Sequence, residues 1–212
     1  LTEDPPMRRA GIALASVFGV GVVAAVIGVI VLVVIAVNSL SGVLSSSATP
    51  KALTCPAAPA RTVGGLVVPA GPVAGFCQDR LVNAAEVIRA ARALGIGPHT
   101  QAVGVMTAIG ESGLVNLDHG DAVGPDSRGL FQQRDNGAWG TYEQRMDPYT
   151  AASMFYAKLV KVPGWKTMTP TQMAHAVQVN ADPDHYAKYW PTAKRVVEGL
   201  TGETVPDVAP QG

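Results

Sequence analysis

The sequence predicts a mainly α protein: a small helical domain with one long loop, preceded by a single membrane-spanning helix and a linker. Three observations lead there. Residues 10–37 form an unbroken apolar run. After residue 76, apolar residues recur at helical spacing. No strand-type alternation lasts long enough to build a sheet.

The apolar run, "AGIALASVFGVGVVAAVIGVIVLVVIAV", is 28 residues without a charge. About 20 apolar residues span a bilayer as a helix. A cleavable signal peptide usually has a shorter core, of roughly 7–15 residues, so the length favours a retained anchor. Arg8 and Arg9 precede the run, while only Lys51 follows closely. That bias puts residues 1–9 in the cytoplasm and everything after Val37 outside it. Residues 38–75, with three consecutive serines and five prolines, read as an extended linker. "GGLVVPAG" within it has the makings of a short strand, marginal by itself. Cys55 and Cys77 both fall on the outer side, where two such thiols pair. Closing that loop contributes roughly 3 kcal/mol in the chain-entropy picture.

From residue 76 to 202 the pattern is that of a folded domain, with residues 203–212 left as a flexible tail. Asp79 is the expected N-cap of "RLVNAAEVIRAARAL", which Gly95 and Gly97 end. "TQAVGVMTAIGES" is a second, strongly apolar helix. Asp147-Pro148 pairs an N-cap with a first-turn proline and opens "YTAASMFYAKLVKV". Thr169 to Gln172 has the spacing of a capping box and opens "MAHAVQ". A last helical pattern covers 183–200, interrupted at Pro191.

The second of these helices ends on Glu111, and a long glycine-rich polar loop follows. The negative end of a helix dipole disfavours a carboxylate by only about 0.3–1 kcal/mol. Burial adds far more. A buried glutamate in a cleft is the usual general acid for a glycosidic oxygen. Overall the chain is neutral, with 16 Lys+Arg against 16 Asp+Glu. The part after residue 76 holds 12 basic and 14 acidic residues, so a nucleic-acid partner is not expected. No HExxH spacing, EF-hand loop or phosphate-binding glycine loop occurs, and neither a metal nor a cofactor is expected.

"Glu111-Ser112-Gly113" followed by "Gly129-Leu130-Phe131-Gln132-Gln133" resembles the Glu-Ser and Gly-Leu-Met-Gln motifs of the lysozyme-like superfamily. The members in question are the transglycosylase SLT and goose-type lysozyme domains, above all those of actinobacterial and phage or mobile-element peptidoglycan hydrolases. The likeness runs from about Asp79 to Val197. It implies a lysozyme-like fold and cleavage of the bond between N-acetylmuramic acid and N-acetylglucosamine. It makes Glu111 the acid/base, and Ser112 a residue that orients it or the muramoyl substituent. Gln132 and Gln133 are then cleft-wall residues. The family's third motif, Ala-Tyr-Asn, is not matched by "AVQVNA", where Gln178 or Asn180 supplies the amide. Tyr186 is a further candidate, for stabilising positive charge at the sugar. Trp139 either stacks on a sugar face or anchors the loop, and Trp165 reads as core.

A lytic transglycosylase needs no second carboxylate, because the sugar's own 6-hydroxyl attacks. An inverting muramidase needs one to activate water, and the loop offers Asp118, Asp121 and Asp126. The single-glutamate reading is preferred. A catalytically silent glycan-binding scaffold of a secretion or conjugation apparatus is the rival from another class. A cysteine peptidase built on Cys77 is the other, weakened by the disulfide partner that Cys55 offers.

Overall fold

The structure is a computed structural model and describes residues 53–208. The expected membrane span, residues 10–37, lies outside the described residues. Among those described, no helix is long and apolar enough to cross a membrane. The described part is mainly helical: α1 (Gln78–Ala93), α2 (Pro98–Ser112), α3 (Tyr142–Met146), α4 (Pro148–Leu159), α5 (Pro170–Gln178) and α6 (Trp190–Thr201).

Helix α2 is the centre of the domain. His99 to Ile109 are all buried, because α1, α6, α5 and α4 surround the helix. An uninterrupted apolar sequence such as "AVGVMTAI" is what an enclosed helix requires. Gly104 is needed for one of these contacts. A Cβ there would lie 2.0 Å from the Tyr156 hydroxyl, which instead donates to the Gln101 carbonyl at 3.1 Å. Phe131 and Phe155 stack at 5.1 Å, carrying the loop's apolar residues onto α4.

The helix starts follow local chemistry. Asp147 accepts from the Thr150 amide at 2.8 Å, with Pro148 in the first turn of α4. Thr169 and Gln172 cap α5 reciprocally, so both backbone amides at its start are satisfied. A second capping box, Thr141 with Gln144, opens the short α3, which the sequence reading did not separate from the loop. Two starts differ from expectation. In α1, Cys77 occupies the N-cap position without a side-chain cap, and Asp79 sits inside the first turn, where its charge interacts favourably with the helix dipole. Pro191 does not interrupt a helix; it occupies the first turn of α6, where a missing N–H costs nothing.

The linker expected over 38–75 is packed in its C-terminal part. Strands β1 (Arg61–Val63) and β2 (Leu66–Val68) form an antiparallel hairpin, with Arg61 opposite Val68. The turn residues Gly64 and Gly65 both have positive φ, which a tight hairpin turn demands. Leu66 and Val68 are buried against the helices while Val67 points outward, so the period-2 alternation is short but complete. Cys55 and Cys77 are disulfide-bonded. The tail expected from 203 is held against the domain at Val205 and Pro206. Val205 is 1% exposed, the Pro206 carbonyl pairs with His99 Nδ1 at 2.8 Å, and Lys194 meets Asp207 at 2.6 Å.

Candidate active site

Glu111 lies in the last turn of α2, which Gly113 ends in the left-handed conformation. The freed carbonyls at this end are met by side chains of α1. Asn83 Nδ2 donates to Leu114 O at 2.9 Å, and Arg80 to Gly113 O at 3.2 Å. Ser112 Oγ donates to Ala108 O and, at 2.9 Å, to Leu130 O. Its hydroxyl therefore ties the helix end, and with it the turn that carries Glu111, to the Gly-Leu-Phe-Gln-Gln segment.

That segment is held by its own ladder. Gly129 N donates to Leu117 O at 2.7 Å, and Arg128 and Gln133 exchange backbone bonds. Gly129 has positive φ, and a Cβ there would fall 2.0 Å from the Arg145 carbonyl. Arg145, 3% exposed, gathers carbonyls of Thr141, Asp126 and Gln133 and pairs with Asp135. This buried guanidinium organises the loop. Gln133 lines a cavity with Glu111, as expected of a cleft-wall residue; its buried amide also donates to Ala151 O and anchors the loop to α4.

The Tyr186 hydroxyl donates to Glu111 Oε1 in a short hydrogen bond. The tyrosine is fully buried, so it orients the carboxyl and is not placed to face a sugar. Gly110 makes room for it, since a Cβ there would sit 2.7 Å from the ring. Gln178 Nε2 donates to Phe131 O at 2.9 Å, fixing the amide beside the same carboxyl. Burial holds the Glu111 pKa above the ordinary carboxylate range. Hydrogen bonds from Tyr186 and Gln178 and the charge of His185 pull it down without overcoming the burial. Tyr186 is driven upward by its own burial and by Glu111, so it stays a donor.

Two cavities meet at Glu111 and Gln132. One, of about 530 Å³, is lined also by Leu117, His119, Gly120, Asp121 and Ser127. The other, of about 450 Å³, runs past Asn136, Trp139, Lys158, Gln178 and Asn180. The carboxyl thus has room on both sides. No family model matches the chain, and no curated protein does either. Gln132 and Val179, both on the cleft wall, have φ of 46° and 54°. A left-handed β-branched valine costs on the order of 1–3 kcal/mol, a kind of strain that concentrates at functional sites.

The three loop aspartates separate here. Asp118 accepts from the Tyr142 hydroxyl at 2.6 Å and pairs with Arg128. Asp126 pairs with Arg134 at 2.6 Å and accepts from the Asp135 amide. Asp121 alone of the three lines the cavity with Glu111, its Oδ1 accepting from Val123 and Gly124 amides. Trp139 is 7% exposed, with the Lys158 ammonium 3.5 Å from the ring centre. With one face covered by Lys158, the largely buried ring anchors the loop while lining the second cavity. Asn180 pairs with His175 Nδ1 at 2.8 Å on the cleft rim. Sequence reasoning missed Lys158, Arg145 and Ser127. Only Lys158 left a trace, as a charge within the otherwise apolar "MFYAKL". Among the described residues, no three His, Cys, Asp or Glu side chains gather as ligands for a metal.

Proposed function

We propose that the chain cuts the N-acetylmuramic acid–N-acetylglucosamine bond of peptidoglycan as a lytic transglycosylase with Glu111 as its single acid/base. The observation that carries this reading is the Glu111 carboxyl, its pKa raised by burial and its orientation set by Tyr186, at the junction of two cavities. A glycosidic bond laid across that junction leaves one sugar in each cavity. Glu111 gives its proton to the bridging oxygen as the bond to the anomeric carbon breaks. The resulting carboxylate then takes the proton of the muramoyl 6-hydroxyl, whose oxygen closes on the anomeric carbon. The product is an anhydro sugar, and Glu111 ends protonated as it began.

The commitment of Asp118 and Asp126 to other partners favours a mechanism without a second carboxylate. Asp121, in the same cavity as Glu111, favours one other reading: hydrolysis, with Asp121 activating water. The Cys55–Cys77 bond accords with a domain outside the cytoplasm, tethered through residues 10–37. There it would open the wall locally for a secretion or conjugation apparatus, or hold glycan as a silent scaffold.

Digestion of purified peptidoglycan by the unsubstituted chain and by Glu111→Gln, with products weighed, separates these readings. Anhydro products from the unsubstituted chain alone support the proposal. Reducing-end products turn the assignment to a muramidase and to Asp121. If neither protein releases products, the enzymatic reading fails and the scaffold takes its place.

A further inference from the structure

The two cavities that meet at Glu111 differ in charge. The lining that includes His119, Asp121 and Ser127 contains no lysine or arginine. The opposite lining contains Arg134 and Lys158, and Glu111 is its only carboxylate. Arg134 is already neutralised by Asp126 at 2.6 Å. Lys158 has no carboxylate within ion-pair distance among the described residues. Its side chain is partly buried, and its ammonium lies over the indole of Trp139 and is destabilised by partial loss of water around it. An indole face holds a cation in position without cancelling its charge. A partly desolvated ammonium so placed is a ready partner for an anion entering the cavity.

We infer that Lys158 selects substrate by pairing with a carboxylate carried on the muramoyl side of the glycan, while the acidic cavity takes the uncharged sugar. This rests on the reading of the cleft as a peptidoglycan site. The carboxylate has two sources: the lactyl group of a bare muramoyl sugar, or the acidic peptide stem attached through it. Asn136, Gln178 and Asn180 line the same cavity and provide neutral amides for hydroxyl and acetamido groups. Lys158 sits on α4, a helix whose neighbouring turns are buried, and Trp139 fixes its head, so the charge is pre-positioned. Lys158 is thus a specificity residue and takes no part in proton transfer.

The test is equilibrium binding to the full chain carrying Glu111→Gln, which prevents turnover, and to the same chain carrying Lys158→Met as well. Methionine keeps an unbranched stem over Trp139 and removes the charge. Three glycans of equal length serve as probes: an N-acetylglucosamine oligomer, a stem-free muramoyl glycan, and a stem-bearing one. The expected result is about tenfold tighter binding of at least one carboxylate-bearing glycan than of the neutral oligomer. That ratio falls to about one in the Lys158→Met chain, and Lys158→Arg restores it. A preference for the stem-free glycan assigns the lactyl carboxylate, and a preference only for the stem-bearing one assigns the peptide. A ratio unchanged by Lys158→Met overturns the inference, as does failure of every glycan to bind. Cleavage by the unsubstituted chain is read separately. A Lys158-dependent preference without cleavage would sink the enzymatic reading and leave this one standing.

Discussion

The two ends of α2 each carry a mostly buried ionisable side chain beside a cavity, yet they are built differently. At the C-terminal end, Glu111 receives the Tyr186 hydroxyl and lies beside the Gln178 amide, and empty space extends on both sides. At the N-terminal end, His99 borders a cavity of about 360 Å³ with Ile96, Trp165 and Lys166. Its Nδ1 meets the Pro206 carbonyl, its ring tilts against Trp190 at 5.2 Å, and its Nε2 has no partner. Burial is common to both ends, so burial alone does not make a reactive group. What distinguishes Glu111 is convergence: side chains from separate segments gather at one carboxyl, and that carboxyl borders open volume. His99 is held by backbone from the packed tail, which is the work of a structural residue.

Replacing Glu111 with Gln should break the contrast most severely, lowering glycan cleavage about 10²- to 10⁴-fold, as expected for loss of a general acid. The same variant should be the more stable protein at neutral pH. The native carboxyl holds its proton above the ordinary value of 4.5, whereas the unfolded one releases it there. The native state therefore binds more protons across that window, and its stability is lost as pH rises through it. Glutamine carries no such loss. Thermal unfolding should show Glu111→Gln melting higher at pH 8 and the difference closing below pH 4, within roughly the carboxylate range.

A smaller effect is expected from Tyr186→Phe. Removing a hydrogen bond that favours the ionised carboxyl leaves burial less opposed, so the alkaline limb of the pH–rate profile should move to higher pH. The rate at its optimum should fall about tenfold as the acid loses its orientation. A limb that stays in place would mean that Tyr186 only packs. Gly110→Ala pushes the same ring away by steric means. It should cost about 1–3 kcal/mol in denaturant unfolding and weaken turnover with it. His99→Phe is the control at the other end. It should cost about 1 kcal/mol, from the hydrogen bond to Pro206, with turnover retained. Loss of activity there would erase the distinction between the two ends.

Much of this arrangement was legible before any coordinates. The caps at Asp147 and Thr169 announce their helices, because capping is chemistry between residues three apart. Glu111 and its glycine-rich loop stand out for the same local reason, and so does the pairing of two lone cysteines. The hairpin is harder to read, although Gly64-Gly65 lies between the apolar residues Val63 and Leu66. Three-residue strands are too short for periodicity to register, and their stability comes from Leu66 and Val68 packing on helices elsewhere in the chain. The partners of Glu111 were harder still. Tyr186 is 75 residues away from it, and Gln178 is 47 from the Phe131 carbonyl it meets. Arg145 left no local signal, since its buried role depends on three carbonyls assembled by the loop itself. Lys158 reads as one more charge on a helix until Trp139 is placed beneath it.

The bond between Cys55 and Cys77 has a mechanical meaning beyond its contribution to folding. Tension arriving along the chain from before Cys55 crosses directly to Cys77, the residue at which α1 begins. Residues 56–76, hairpin included, form a closed side loop that carries none of that load. The hairpin's few backbone bonds therefore need not resist being peeled from the helices. Reduction would place them in series with the pull, and the first element to yield would be the strands at the domain's edge.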